Sequence, residues 1–265
     1  MDKLTVRAIM EKHPVYVEAF DFITRARQLM RDFHHRTLPV VDEKNRVIGI
    51  LTEKDVLNIT STKSNITVNG YVIETPIISA KTDMKQAARI MIETGFTCLP
   101  VVDTARGNAL NGIISITDIF NNLDPSDIPE GTVSKFMSEN VKTCTPDDSL
   151  SRIWMNMIRE GFSGYPVVDK QNRPKGMITR YDILSSGGVR IEREGEHGTR
   201  IGTSSRVARI MSTPPFTITT DASLKKAIEM MTRLDVHRLC VVDPEKLVGI
   251  IDIHDIVRAC IDGRI

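Results

Sequence analysis

Gly49-Ile50-Leu51-Thr52-Glu53-Lys54-Asp55 returns three times along the chain, as Gly112-Ile113-Ile114-Ser115-Ile116-Thr117-Asp118, Gly176-Met177-Ile178-Thr179-Arg180-Tyr181-Asp182 and Gly249-Ile250-Ile251-Asp252-Ile253-His254-Asp255. The four glycines stand at intervals of 63, 64 and 73 residues. A period of this length means a fold built from repeated units. Each copy sets a hydroxyl or a carboxylate three residues before an aspartate, at the point where an apolar strand should give way to a helix.

The chain on either side of the motif repeats as well. Each unit opens on an extended apolar stretch, at Val15-Tyr16-Val17, Ile77-Ile78, Val141 to Thr143 and Phe216-Thr217-Ile218. A helix is expected next, from the one-face spacing of Ile23, Ala26, Met30; Met84, Ala87, Met91; Leu150, Ile153, Met157; and Leu224, Ala227, Met231. Core packing is the expected role of this methionine-ended stripe rather than a ligand box. Pro39-Val40-Val41-Asp42 and its counterparts, ending at Asp103, Asp169 and Asp243, read as a strand that turns back into the motif strand as a hairpin. Val56-Leu57, Ile119-Phe120, Ile183-Leu184 and Ile256-Val257 then begin a second helix, so the unit is β-α-β-β-α. A single unit of about 60 residues buries little core, and neighbours are expected to pair.

The expected boundaries are residues 1–65, 66–126, 127–188 and 189–265, the first two units forming one module and the last two another. The polar run Asp124-Pro125-Ser126-Asp127-Ile128-Pro129 marks the division between modules. The extra length in the last interval falls in Ser185 to Ser205, glycine-rich and charged, which reads as a polar loop or as a docking segment for a protein partner.

The 265 residues are 41% apolar and 26% charged, as in globular proteins, and the net charge of +1 offers no attraction to nucleic acid or an anionic membrane. No apolar run approaches the roughly 18 residues that span a bilayer, and the first residues lack a secretory signal, so a cytoplasmic location is expected. Cys98, Cys144, Cys240 and Cys260 form no CxxC pair, and neither a disulfide nor a metal site is expected. No P-loop, nucleophile elbow or HExxH is present, so an enzyme is the weakest class.

These features resemble the CBS domain: the β-α-β-β-α unit, the Pro-Val-Val-Asp strand, the Gly-apolar-apolar-(Thr/Ser)-x-x-Asp ending, and the opening phrases Ile9-Met10, Phe136-Met137 and Ile210-Met211. The resemblance covers about residues 5–124 and 132–262. It implies an α/β fold of four tandem CBS repeats paired into two Bateman modules, as in archaeal stand-alone CBS proteins and the gamma regulatory subunit of AMP-activated protein kinase. The modules would pack as a disc within one chain or between chains as a homodimer, and the sequence leaves both open.

The resemblance further implies a non-catalytic regulator that binds adenine nucleotides (AMP, ADP or ATP) and reports energy state to a partner. S-adenosylmethionine is the competing ligand, and the competing class is an interaction protein for an enzyme or the ribosome. In the family the aspartate holds the ribose diol and the hydroxyl a phosphate, which assigns Thr52 with Asp55, Ser115 with Asp118, Thr179 with Asp182, and Asp255. Ile50, Ile113, Met177 and Ile250 would pack on the adenine. His237 and Arg238 echo a phosphate-binding pair of the kinase subunit and suggest contacts donated across the cleft between paired repeats. His34-His35-Arg36 is a weaker echo, shifted by one residue.

Helix capping competes with this reading, because Ser or Thr followed three residues later by an acid is also a capping box. Glutamate reaches back to a cap better, so four aspartates tilt the expectation toward a ligand. Repeat four departs from the others, with Asp252 in place of the hydroxyl. Losing a hydrogen bond to a charged phosphate costs about 1.5–3 kcal/mol. A carboxylate ~4 Å from the phosphate adds roughly 4 kcal/mol of repulsion at an effective dielectric of 20. The fourth end is therefore expected not to seat a phosphate at its own helix.

Overall fold

A computed structural model of the chain describes residues 4–58, 65–186 and 205–263. Repeat one contains α1 (Val6–Ile9), β1 (Val17–Glu18), α2 (Ile23–Asp32), β2 (Thr37–Val41), β3 (Val47–Thr52) and α3 (Glu53–Asn58). Repeat two contains β4 (Ile78–Ser79), α4 (Met84–Thr94), β5 (Cys98–Asp103), β6 (Ala109–Ser115) and α5 (Ile116–Asn121). Repeat three contains α6 (Leu150–Glu160), β7 (Gly164–Val168), β8 (Pro174–Thr179) and α7 (Arg180–Ser185). Repeat four contains β9 (Thr217–Thr219), α8 (Leu224–Leu234), β10 (Arg238–Asp243), β11 (Lys246–Asp252) and α9 (Ile253–Asp262).

Three repeats carry a three-stranded sheet whose short first strand runs parallel to the first strand of the hairpin that follows it, as β1-β2-β3, β4-β5-β6 and β9-β10-β11. Repeat three keeps only the hairpin β7-β8. Its first strand, expected at Val141 to Thr143, shrinks to a single bridge between Cys144 and Val167. The cause is Pro146. In repeat one the equivalent Ala19 donates its N–H to Val41 O at 3.0 Å, whereas proline has no N–H to extend the ladder.

The helices α2, α4, α6 and α8 each begin where the apolar stripe of their repeat begins. Met30, Met91, Met157 and Met231 are all at most 2% exposed, so the stripe is core and not a ligand box. Asp83 caps α4 by accepting from the N–H groups of Lys85 and Gln86, and Ser223 caps α8 through Lys226 N–H. All four helices are followed at the same place by a left-handed residue: His34 (φ 57°), Gly95 (74°), Gly161 (79°) and Asp235 (52°). His34 thus stands in a helix-ending position.

The chain divides into two compact units, residues 1–129 with 253–265, and residues 130–252. In the first, α9 packs against α4 and α5. Within each unit the repeats exchange their lead-in segments. Val6 and Val68, and likewise Val133 and Val207, are fully buried. Each donates its N–H to the pair-mate: Val6 to Thr82, Val68 to Asp21, Val133 to Ala222 and Val207 to Asp148. Val68 sits in the core of repeat one with Val17, Met30, Leu38 and Leu51. Burying such a side chain contributes about 1.5–3 kcal/mol, and the pair-mate supplies it, so one repeat alone is incomplete.

The lead-in then crosses the motif strand. Glu11 and Ile113 exchange two backbone hydrogen bonds (2.9 and 3.0 Å), as do Ile50 with Ile73, Met177 with Ser212, and Ile250 with Ser138. This crossing explains the motif glycine. A Cβ on Gly112 would lie 2.6 Å from Glu11 O and 3.0 Å from Met10 Sδ; one on Gly176 would lie 2.7 Å from Ser212 O, and one on Gly249 2.6 Å from Met137 Sδ. The Ile/Phe-Met phrases and the glycines, far apart in sequence, are two halves of one contact.

Candidate functional site

The crossing places the motif hydroxyl and aspartate beside the pair-mate. In repeat two Ser115 hydroxyl and backbone N–H both donate to Asp118 Oδ2, at 2.6 and 2.7 Å, while Asp118 N–H donates to Ser115 Oγ at 3.2 Å. Repeat three repeats this with Thr179 and Asp182, at 2.6, 2.7 and 3.2 Å. In repeat one Thr52 N–H donates to Asp55 Oδ2 at 3.2 Å and the Thr52 hydroxyl bonds the same oxygen. The ends of repeats two and three are capping boxes closed by aspartate, and in repeat one Asp55 makes the carboxylate half of the same arrangement. Aspartate, one methylene shorter than glutamate, still meets the cap N–H, at 2.7 Å in repeats two and three.

The box leaves something over. Cap N–H and hydroxyl both go to Oδ2, so Oδ1 of Asp55, Asp118 and Asp182 carries no hydrogen bond among the described residues. Each motif hydroxyl, in contrast, has its proton on Oδ2, and a phosphate that takes it must displace that bond.

The apolar partners stand two residues before the cap, on the same strand face. Ile113, Met177 and Ile250 are half-buried next to fully buried Ile114, Ile178 and Ile251, so their face opens outward. Ile50 differs, being 1% exposed. Asp255 lies in the first turn of α9, in the first unit. His237 is exposed.

Arg238 is the positioned cation. Its Nη2 donates to Ser163 Oγ of repeat three at 3.0 Å and to Asp252 Oδ2 at 3.3 Å, with the two charged side chains 22% and 19% exposed. Arg238 pairs across its hairpin with Asp252, and Gly164 with Thr179. A Cβ on Gly164 would lie 2.8 Å from Arg238 Nη1 and 3.2 Å from Thr179 Cγ2. The guanidinium of repeat four therefore occupies the space a side chain would fill at Gly164, the strand position paired with Thr179 of repeat three. Sequence reading found Arg238 but missed its two anchors. The available signal was alignment: Ser163-Gly164 stands where repeat four has His237-Arg238, the smallest residue opposite a large one.

The first unit has different side chains there. Thr37 pairs with Thr52, and Cys98 with Ser115. The Thr97 hydroxyl donates to the Cys98 thiol at 4.0 Å, and burial raises that thiol to about 11. Burial likewise raises Cys144 to about 12 and Cys240 and Cys260 to about 11, so these free thiols stay protonated at neutral pH. A cleft of about 350 Å³ in the same unit, lined by Lys12, His13, Tyr16, Glu18, Asp42 and Asn45 among others, lies at the turn end of the β2-β3 hairpin, opposite Thr52. Among the described residues no His/Cys/Asp/Glu cluster suits a metal ion, and no helix is long and apolar enough to cross a membrane.

The family model of the CBS domain matches residues 6–61, 71–124, 133–187 and 207–262. The chain belongs to the CBS domain family. Among curated CBS relatives it is similar to protein MJ1225 of Methanocaldococcus jannaschii, 30% identical over 194 residues, 68% of each chain. It is also 30% identical to protein MJ1404 of the same organism, over 97% of this chain and 62% of that one, so the chain spans under two thirds of the longer relative. The crystal structure of MJ1225, described as a candidate archaeal homolog of g-AMPK, superposes with a TM-score of 0.79 at 23% identity, over 96% of this chain and 99% of that one. A Pyrococcus horikoshii protein superposes at 0.68, with 19% identity over 97% and 100%. At these identities the superpositions speak for the CBS fold alone.

Proposed function

We propose that this chain is a non-catalytic CBS regulator that binds adenine nucleotides through the aspartates of repeats one to three. One observation carries the reading: Asp55, Asp118 and Asp182 each spend a single carboxylate oxygen on the helix cap and keep the other. That oxygen suits a ribose hydroxyl, which donates a charge-assisted hydrogen bond stronger than a neutral one. An apolar side chain on the same strand face, Ile113 or Met177, supplies a surface for the base. Ile50 is covered, so repeat one is the end that must open to take a ligand. Arg238 adds a cation beside Thr179, which favours AMP, ADP or ATP over the cationic S-adenosylmethionine at repeat three. His237 joins the proposed set in the second unit with Ile250 as the apolar surface of repeat four, and Asp255 joins it in the first. The comparison of MJ1225 with the kinase gamma subunit makes energy-state signalling to a partner the role in view. The docking reading of Ser185 to Ser205 concerns a segment whose residues 187–204 lie outside the described residues.

The test is calorimetric titration of nucleotide-stripped protein with AMP, ADP, ATP and S-adenosylmethionine, beside Asp55→Ala, Asp118→Ala and Asp182→Ala. Binding that is lost site by site in the variants is the expected result. No binding by the wild type, with variants that lose only thermal stability, leaves the aspartates as helix caps.

A further inference from the structure

We infer that Asp252 is a positioning residue, which holds the Arg238 guanidinium across Gly164 so that the second unit grips a ligand phosphate at the end of repeat three. The inference rests on the proposed nucleotide binding and says which end of the unit discriminates phosphate and why repeat four lacks the hydroxyl. Asp252 occupies the position of Thr52, Ser115 and Thr179, yet its carboxylate accepts from Arg238, two strand residues facing each other across the β10-β11 hairpin.

The geometry of the fork favours positioning over masking. Both anchors, Ser163 Oγ and Asp252 Oδ2, take the same nitrogen, Nη2. Among the described residues Nη1 and Nε carry no hydrogen bond, and Nη1 is the nitrogen that lies over Gly164, the strand position paired with Thr179. A carboxylate that competed with ligand for the guanidinium would take two nitrogens in the bidentate pairing that arginine and carboxylates favour. Here one nitrogen is tied down and the rest of the fork keeps its donors. Arginine has a long stem with many rotamers, and fixing it before binding lowers the entropy lost on contact. Glycine at 164 is the matching concession in repeat three, since any side chain there would meet the guanidinium.

The test compares AMP with adenosine, which share the base and diol and differ by the phosphate. Both are titrated into the full chain, and repeat three is identified as the site lost in Asp182→Ala. For Asp252→Asn, which keeps the shape and removes the charge, the AMP-over-adenosine preference at that site is expected to fall about threefold to tenfold, the range for freeing one ordered long side chain, with adenosine affinity within about twofold of wild type. Arg238→Lys keeps the charge without the fork and is expected to lose the preference too. An increased preference in Asp252→Asn overturns the inference, since the carboxylate would then be a competing anion. So does a parallel loss of both ligands with a lowered Tm, the mark of a purely structural role. Equal affinity of the wild-type site for AMP and adenosine overturns it and leaves nucleotide binding standing. If neither ligand binds, both readings fall together.

Discussion

The two units place the same backbone positions at the meeting point of their repeats and fill them with opposite chemistry. In the first, Thr37 and Cys98 stand there, two small neutral side chains. In the second, Gly164 meets Arg238, with Asp252 and Ser163 as anchors. Strand register is the same in both, since Thr37, Cys98, Gly164 and Arg238 all stand opposite a motif residue. The lesson is that the fold is carried by positions the units share, and the binding chemistry by one they do not.

The largest effects should come from what the units share. Gly112→Val in the first and Gly176→Val in the second each drive a side chain into the pair-mate's backbone oxygen, 2.6 and 2.7 Å from the Cβ. Both should destabilise by about 3 kcal/mol, at the upper end of overpacking, read as a fall in the urea midpoint at constant m-value. A large effect in one unit only would mean that the crossings are not equivalent and would break the comparison.

The next effect belongs to the second unit alone. Arg238→Met should cost AMP binding at repeat three about 1.5–3 kcal/mol, the value of a hydrogen bond to a charged group. Cys98→Ser, at the same position in the first unit, should leave AMP affinity unchanged. Gly164→Ala should act in the same direction as Arg238→Met and more weakly. Its new methyl meets the movable end of a side chain at 2.8 Å, so the guanidinium shifts and the fold persists. Calorimetry with AMP and adenosine ranks the three, and undiminished AMP preference in the Gly164→Ala variant would show that the guanidinium works from elsewhere.

Much of this is legible in the sequence. Stripe residues Ile23, Met84, Leu150 and Leu224 are where the four helices begin, because amphipathic periodicity is a local property that survives in a single sequence. The third repeat's first strand was misplaced because apolar Val141 outweighed Pro146, whose missing N–H decides where the ladder stops. The motif aspartates were found, yet their capping geometry was undervalued: a closed box depends on sub-ångström placement of the cap N–H, which propensities do not carry. The Ser163 anchor of Arg238 is harder to read from sequence for another reason. Ser163 lies 75 residues away, and only the exchange of lead-ins brings repeats three and four face to face.

The smallest predicted effect returns to a feature the units share and tests whether they are equal in solution. Asp169 in the β7-β8 turn accepts from the N–H groups of Arg173 and Gln171 and from Arg173 Nε, each at 2.9 Å. Asp42 holds the β2-β3 turn through Arg46 and Lys44 in the same way. The backbone bond from Arg173, with its side chain and the Gln171 N–H, lowers the Asp169 carboxyl to about 2; Arg46 likewise lowers Asp42. In the unfolded chain an aspartate titrates near ~3.9. The folded value is the lower one, so each carboxylate stabilises the fold above about pH 4, and that contribution is lost as pH falls toward about 2. Asp169→Asn should therefore lower the urea midpoint slightly at pH 5, and the gap to wild type should close between about pH 4 and about pH 2. Asp42→Asn should follow a curve of the same shape. A gap that stays constant with pH would mean that the turn is held by its backbone alone, and asparagine, which accepts the same N–H bonds, would then be as good as aspartate at that corner.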